Sequence, residues 1–411
     1  MPSQVLSVAH ATGFTAVSNA ANAFTCISGG GTGLTLPEAQ VQFECPQAGT
    51  IGNLYVRVDA NTSAVDQTVT IRKNGASGGV AVTVTAGVGS TTYTNANTFT
   101  VVAGDLISLN ITSGAGAGSV TYTVFSVIYT INAPNLSVQV AHNRPGGAAI
   151  VQPNSSAYTP VFTAPMNSGE TAVTSVAFLL RTAADFTYLR TYLSSNGASS
   201  AGNTFALRVD GADSALSAAL PATTTGEFLN TATTVTVNAG SSVSFRFANV
   251  NTNAGTSYFY TLTQVQRNSP WSNIGSNAGT AAFTSATRTM FWPLGGQGTT
   301  ANTSELQTQM TARGRFRTQN MQVNIPVNAG GTTVCLRINS SNAISLALAS
   351  GTVGIVLDST QGPTITSTDL LNWSIQQTAG AGGGGFTLSG ITMEMASIDT
   401  IPIRTLVGAG I

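Results

Sequence analysis

The chain is 411 residues long, yet only 7% of it is charged, and 15 basic residues balance 15 acidic ones. That length exceeds one ordinary core, so two to four domains are expected. An even charge balance gives no basic field for a nucleic-acid backbone, and a mean hydropathy of +0.20 argues against a disordered chain.

A surface this low in charge has little repulsion to keep copies apart, so much of it is expected to be covered by neighbouring copies. Lys73 is the only lysine; the other basic residues are arginines, which tolerate desolvation better and suit contacts between subunits. The opening "MPSQVLSVAHATGF" lacks the charged and apolar regions of a secretory signal. No stretch nears the roughly 18 apolar residues of a membrane span. The expectation is a protein made in a cytoplasm and not secreted by the usual route, with no membrane partner.

In chain order, the first strong elements are short strands: "VQFEC", "GNLYVRVD", "QTVTIRKN", "VAVTVTA", a weak "TTYTN", "TFTVVA", "DLISLNIT" and "TYTVFSVIYT". Thr and Val dominate, Gly/Asn/Ser clusters punctuate, and no helical period of useful length appears. The stretch "TVTIRKNG" (Thr68–Gly75) returns as "TFALRVDG" (Thr204–Gly211) and as "TVCLRINS" (Thr333–Ser340). From Arg72 to Asp105, Arg208 to Ser241 and Arg337 to Asp369 the separations differ by one residue. Upstream, "CISGGGTGLTLPEAQVQF" (Cys26–Phe43) aligns without a gap on "PLGGQGTTANTSELQTQM" (Pro293–Met310), with Glu38 on Glu305. A spacing of about 130 residues is that of a whole domain, not of a solenoid unit.

The expected organisation is an arm at 1–22, sandwiches at 23–134 and 135–267, a linker at 268–289, a third sandwich at 290–396 and a tail at 397–411. Strand side chains alternate, so Val69 and Ile71 face the core while Arg72, Arg208 and Arg337 stand on the outer face. Each of these arginines either pairs with a nearby acid or makes a lateral contact between copies. Asn74-Gly75 and Asp210-Gly211 supply the positive φ of a tight hairpin. Asn339-Ser340 supplies it less well, so a longer third hairpin is expected.

Strand, Arg-x-Asn-Gly, strand, then "VVAGDLISL" resembles jelly-roll domains of the C1q/TNF kind and sandwiches of bacteriophage virion and fibre proteins. The second copy departs by carrying Ser241 where the pattern has Asp. The resemblance implies an all-β fold of three tandem jelly-roll-like antiparallel sandwiches with extended terminal arms, and association in threes. It also implies a bacteriophage structural protein in the virion: capsid decoration, cement, fibre or tail. The partners would be copies of itself and another virion protein.

Signals for chemistry are weak. His10 and His142 lie in flanks that offer no catalytic cleft. "SGGGTG" (Ser28–Gly33) lacks the end of a P-loop. Asp210 and Asp213 are spaced as a turn more than as a calcium site. Cys26, Cys45 and Cys335 have no metal-ligand spacing; they read as buried small hydrophobes, although Cys26 and Cys45 can lie near one another. No catalytic residue, metal or cofactor is expected.

Three features read as interface. "RGRFRTQNM" is the one basic cluster, with Arg313, Arg315 and Arg317, either a solvated loop or a face for an acidic partner. Trp271, Phe291 and Trp292 sit in a polar connector, as anchors against another surface or packed under the third domain. The apolar ends imply an arm reaching onto a neighbouring subunit. The alternative function is an adhesin that binds surface glycans through Thr/Asn-rich loops and Trp271 or Trp292.

Overall fold

The computed structural model describes residues 3–10, 22–25, 27, 37–131, 136–142, 156–159, 161, 177–197, 203–248, 258–267, 271–283, 288–292, 294, 296–297, 305, 308–312, 314–328, 330–377, 386–398 and 403–407. Strands dominate them, with one short 3-10 turn at Glu38–Gln40.

The first repeat runs β1 (Ser3–His10), β2 (Asn22–Thr25), β3 (Phe43–Glu44), β4 (Gly49–Asn61), β5 (Gln67–Lys73), β6 (Ala76–Val84), β7 (Thr91–Val101), β8 (Leu106–Ser113) and β9 (Val120–Ile131). The second runs β10 (Leu136–His142), β11 (Ser156–Thr159), β12 (Phe178–Leu179), β13 (Ala184–Ser195), β14 (Asn203–Val209), β15 (Ala212–Leu220), β16 (Gly226–Val237), β17 (Ser242–Ala248) and β18 (Tyr258–Arg267). The third runs β19 (Ser272–Phe283), β20 (Arg288–Trp292), β21 (Gly296–Gln297), β22 (Met310–Thr311), β23 (Phe316–Ile325), β24 (Val327–Asn328), β25 (Thr332–Ile338), β26 (Ser341–Leu348), β27 (Gly354–Asp358), β28 (Leu370–Gln377) and β29 (Phe386–Ser397). A last strand, β30 (Ile403–Val407), follows.

Each repeat folds into two facing sheets with one jelly-roll order. One sheet is β2-β8-β5-β6, matched by β11-β17-β14-β15 and β20-β28-β25-β26. The other is β1-β9-β4-β7, matched by β10-β18-β13-β16 and β19-β29-β23-β27. The two short pieces "TTYTN" and "TFTVVA" prove to be one strand, β7. Between the sheets lie three cores. Phe43, Tyr122 and Tyr129 anchor the first, Phe178, Phe205 and Phe245 the second, and Trp292, Trp373 and Phe386 the third. Burying each such side chain contributes about 1.5–3 kcal/mol, which is what holds a sheet pair face to face.

Three expectations need correction. The stretch 268–289 contains β19, which pairs with β29 from Ser272↔Met395 to Phe283↔Phe386 and so belongs to the third sandwich. The ends also lie in this chain's own sheet: β1 pairs with β9, and β30 pairs in parallel with β1 from Gln4↔Ile403 to Val8↔Val407. By seating itself between β10 and β1, β30 joins the first two repeats in one nine-stranded sheet. The third hairpin is no longer than the others. Ile338 pairs directly with Ser341, leaving the two-residue turn Asn339-Ser340, with φ of 50° and 65°. Strand twist selects that turn type whatever residue must adopt it.

In each repeat the strand leading toward the neighbour carries a bulge. β4 slips register between Gly52 and Leu54, β13 between Thr187 and Leu189, and β23 between Gln319 and Gln322. The extra residue sits at positive φ each time: Asn53 at 52°, Tyr188 at 59° and Asn320 at 54°. A bulge re-aims the side chains that follow it, and those side chains build the seams described next.

Candidate functional site

The three repeated arginines are fastened inside their own repeats. Arg72 Nε donates to Glu38 Oε1 at 2.7 Å, its Nη2 donates to Gly75 O, and its guanidinium lies 5.5 Å from the Phe24 ring. Arg337 repeats this with Glu305 at 2.5 Å, the Ser340 carbonyl and the Phe291 ring at 5.5 Å. Arg208 stacks on Tyr158 at 5.4 Å and takes Asp213 as its acid, at 2.9 Å. Among the described contacts, each arginine pairs with a nearby acid of its own repeat. The gapless alignment of Glu38 with Glu305 has its cause here.

The turn beside each arginine is tied to the strand that follows the sandwich crossover. Asn74 Nδ2 donates to Asp105 Oδ1 at 2.7 Å, and Asn339 Nδ2 donates to Asp369 Oδ1 at 2.8 Å. In the second repeat Asp210 takes the Asn position and accepts from Ser242 N at 2.8 Å. A carboxylate at 241 would face a carboxylate at 210, which accounts for Ser241. Asp213 is likewise occupied, by Arg208 and by Arg246 at 2.6 Å. Among the described residues no cluster of three His, Cys, Asp or Glu side chains is placed to hold a metal.

Trp292 is 1% exposed and lies opposite Trp373 in the third core, so it packs under its own domain. Phe291 lies beneath Arg337, and Trp271 is half-buried. Arg315 and Arg317 are exposed, while Arg313 lies outside the described residues. Cys45 and Cys335 are buried free thiols, and burial first of all pushes the Cys45 thiol up; Cys26 lies outside the described residues.

The principal constellation is one that the sequence did not disclose: three seams where β4, β13 and β23 each meet the preceding repeat in cyclic order. Register defines the equivalence. Phe43 pairs with Ile107, Phe178 with Val243 and Met310 with Leu371, so β3, β12 and β22 hold one position in their repeats. From the second repeat, Arg190 donates through Nη1 to Gln42 O at 3.0 Å, and its Nε lies 3.3 Å from Glu44 Oε2. From the third, Gln322 exchanges two hydrogen bonds with the Leu179 backbone, at 2.9 and 3.0 Å, and Asn324 donates to Ala177 O at 3.2 Å. From the first, the Tyr55 hydroxyl lies 3.4 Å from Thr311 Oγ1, and Arg57 donates to Gln309 O at 3.4 Å. The second repeat thus grips the first, the third grips the second, and the first grips the third. Three head-to-tail contacts that return to their start are the signature of a closed ring with pseudo-threefold order.

The seams share geometry but not chemistry. The seam of repeats two and one is ionic: Arg190 is 1% exposed and also meets Glu227 at 2.6 Å. Burial, above all, pushes the Glu44 carboxyl up, with Glu227 adding to it, while Tyr188 and Arg190 act in the other direction. The seam of repeats three and two is amide-rich, and there the buried Glu394 accepts from Asn320, Gln319 and Thr182 at 2.7, 3.0 and 3.2 Å. The seam of repeats one and three is the apolar one, where Tyr55, Val124 and Ile128 join the third core.

No protein-family description matches the chain, and no curated protein does. Among solved structures it is similar to a protein reported under "The Triple Jelly Roll Fold and Turret Assembly in an Archaeal Virus", at 8% identity over 89% of this chain and 83% of that one, with a TM-score of 0.18. An overlay that loose carries no argument about fold or function.

Proposed function

We propose that this chain is a non-enzymatic structural protein of a virus particle, of the bacteriophage kind, acting as a capsid decoration or cement protein or as a fibre or tail component. The observation that carries the reading is the closed ring. One chain presents three equivalent sandwiches in cyclic order, the shape demanded by a three-fold or quasi-three-fold position on a particle. Several of its carboxylates and arginines are paired inside the chain, within repeats and at one seam, and only 7% of its residues are charged, which favours adhesion by area. The partners are copies of itself and another virion protein.

The test is imaging of purified particles, combined with peptide mapping of their proteins. Density for three pseudo-equivalent sandwiches on the particle supports the reading; recovery of the chain only as free monomer in lysate ends it. The adhesin reading is the weaker of the two, because Trp292 is sealed in a core and offers no face for a sugar to stack on.

A further inference from the structure

The two ends of the sandwiches differ in charge. At one end lie the segments that join β4 to β5, β6 to β7 and β8 to β9. Their counterparts are 196–202, 221–225 and 249–257 in the second repeat and 326–331, 349–353 and 378–385 in the third. These nine segments hold one charged residue, Asp66, whose Oδ1 accepts from Ala86 N at 2.8 Å. The other end has 45–48, 74–75 and 102–105, then 180–183, 210–211 and 238–241, then 312–315, 339–340 and 359–369. These hold six: Asp105, Arg181, Asp210, Arg313, Arg315 and Asp369.

The ring turns this contrast into a difference between its two faces. β1 and β10 lead neighbouring repeats, and both run parallel to β30. A rotation that carries one repeat onto the next preserves only directions along its own axis. The leading strands therefore run close to the pseudo-threefold axis, and the charge-poor segments gather on one face of the ring. Tips on that face are fixed by one device written three times. Asn61 Nδ2 donates to Thr85 O and Val88 O at 2.8 and 3.3 Å. Asn196 Nδ2 donates to Pro221 O and Thr224 O at 2.8 and 3.0 Å, and Asn328 Nδ2 to Ala349 O at 2.7 Å. Val88, Val327 and Val353 stand exposed there, at 43%, 49% and 61%, while Val102 stands exposed at the charged end.

We propose that the charge-poor face is the docking face of the ring, and that its occupant is an uncharged protein surface of the particle, with the charged ends turned outward. The proposal rests on the virion reading and adds which side of the ring adheres. Burying a charge without a counter-charge is costly, and the cores of protein interfaces are depleted of charged residues, so the nine charge-poor segments are the end that loses least on contact. Their chemistry also selects the partner. They offer no basic residue to a phosphate backbone or an anionic headgroup. They contain no aromatic side chain to stack on a sugar or to anchor in a membrane interface. What they do offer is glycine, which lets a partner backbone come close, with valine, threonine and asparagine on tips already held rigid, so that little ordering is left to pay for on docking.

The test is imaging of purified particles at a resolution that shows which end of the ring meets the particle. Contact through 85–90, 221–225 and 349–353 is expected. A ring attached by its charged end or by its flank overturns the docking face and leaves the virion reading standing, whereas particles without the chain end both. A second measurement grows particles with full-length variant chains and counts copies per particle by quantitative mass spectrometry. Val88→Asp/Thr224→Asp/Val353→Asp changes three exposed tip positions and should lower the count about tenfold or more, because each new carboxylate is buried without a counter-charge. Val102→Asp, at the other end, should leave the count unchanged. Equal counts for the two variants overturn the proposal. Melting curves of the purified chains check folding, and the single change Val353→Asp replaces the triple variant if that one unfolds.

Discussion

Arg190 of the second repeat reaches Glu44 of the first, Nε to Oε2 at 3.3 Å, with the arginine 1% exposed. A buried cation between two acids is costly to bury and more costly to break, because removing it leaves carboxylates with no counter-charge. Arg190→Ala should therefore lower stability by about 3–5 kcal/mol, read from the denaturant midpoint. Adding Glu44→Gln and Glu227→Gln to that variant should restore part of the loss. A triple variant no more stable than the single one means that Arg190 acts through packing, not charge.

The pH dependence has two opposed parts. Burial alone would raise Asp105, but bonds from Val102 N–H, Lys73 and Asn74 leave its carboxyl below the ordinary 3.8. Asp369 is likewise lowered despite burial, by Thr366 N–H and Asn339. Groups lowered in the folded state contribute stability above their ordinary value and lose it as pH falls through the folded one. Glu44, raised from 4.5, works the other way: its contribution is full below 4.5 and is lost as pH rises through the higher folded value. Thermal midpoints should fall on acidification below about pH 4, less so in Asp105→Asn/Asp369→Asn. Glu44→Gln should gain on the wild type as pH rises from 4 toward 7. An unchanged gap between Glu44→Gln and wild type over that range refutes the assignment.

Ser340 sits at φ 65° where the first two repeats have glycine at 78° and 80°. A left-handed conformation costs an ordinary residue about 1–2 kcal/mol, so Ser340→Gly should stabilise the chain by about 1 kcal/mol. The same change keeps the bond from Arg337 to the backbone carbonyl of 340 and gives up only the one that the side chain accepts from Gln309. A destabilised Ser340→Gly variant would show that the serine side chain, which accepts from Gln309 at 2.9 Å, outweighs the backbone.

The features legible in the sequence are those set by local rules. Asn-Gly turns, the alternation around Arg72 and the Glu38–Glu305 match all depend on neighbours a few residues away or on repeat spacing, and the structure returns them. β19 was hidden because "SNIGSNAGTAAF" has the composition of a turn; pairing with β29 makes it a strand. The seams were hidden for a different reason. Tyr55, Arg190 and Gln322 are polar side chains on a strand's outer face, and by alternation alone such residues face water. Only the neighbouring repeat makes that face an interior. One signal was present: "NLYVRV", "YLRTYL" and "NMQVNI" each begin at the residue that later proves to have positive φ.

That residue yields the last prediction. Asn53 occupies the left-handed region inside the β4 bulge, and the bulge aims Tyr55 and Arg57 at Thr311 and Gln309. Asparagine tolerates this conformation and a β-branched residue does not. Asn53→Gly should leave stability within about 0.5 kcal/mol, whereas Asn53→Val should cost about 1–2 kcal/mol. The cost should also appear away from the substitution. If the bulge sets the seam, amide exchange should quicken at Met310 and Thr311 of β22 in Asn53→Val but not in Asn53→Gly. Equal exchange at β22 in both variants, with stability lost only within β4, would separate the bulge from the ring and leave the seam held by the side chains alone.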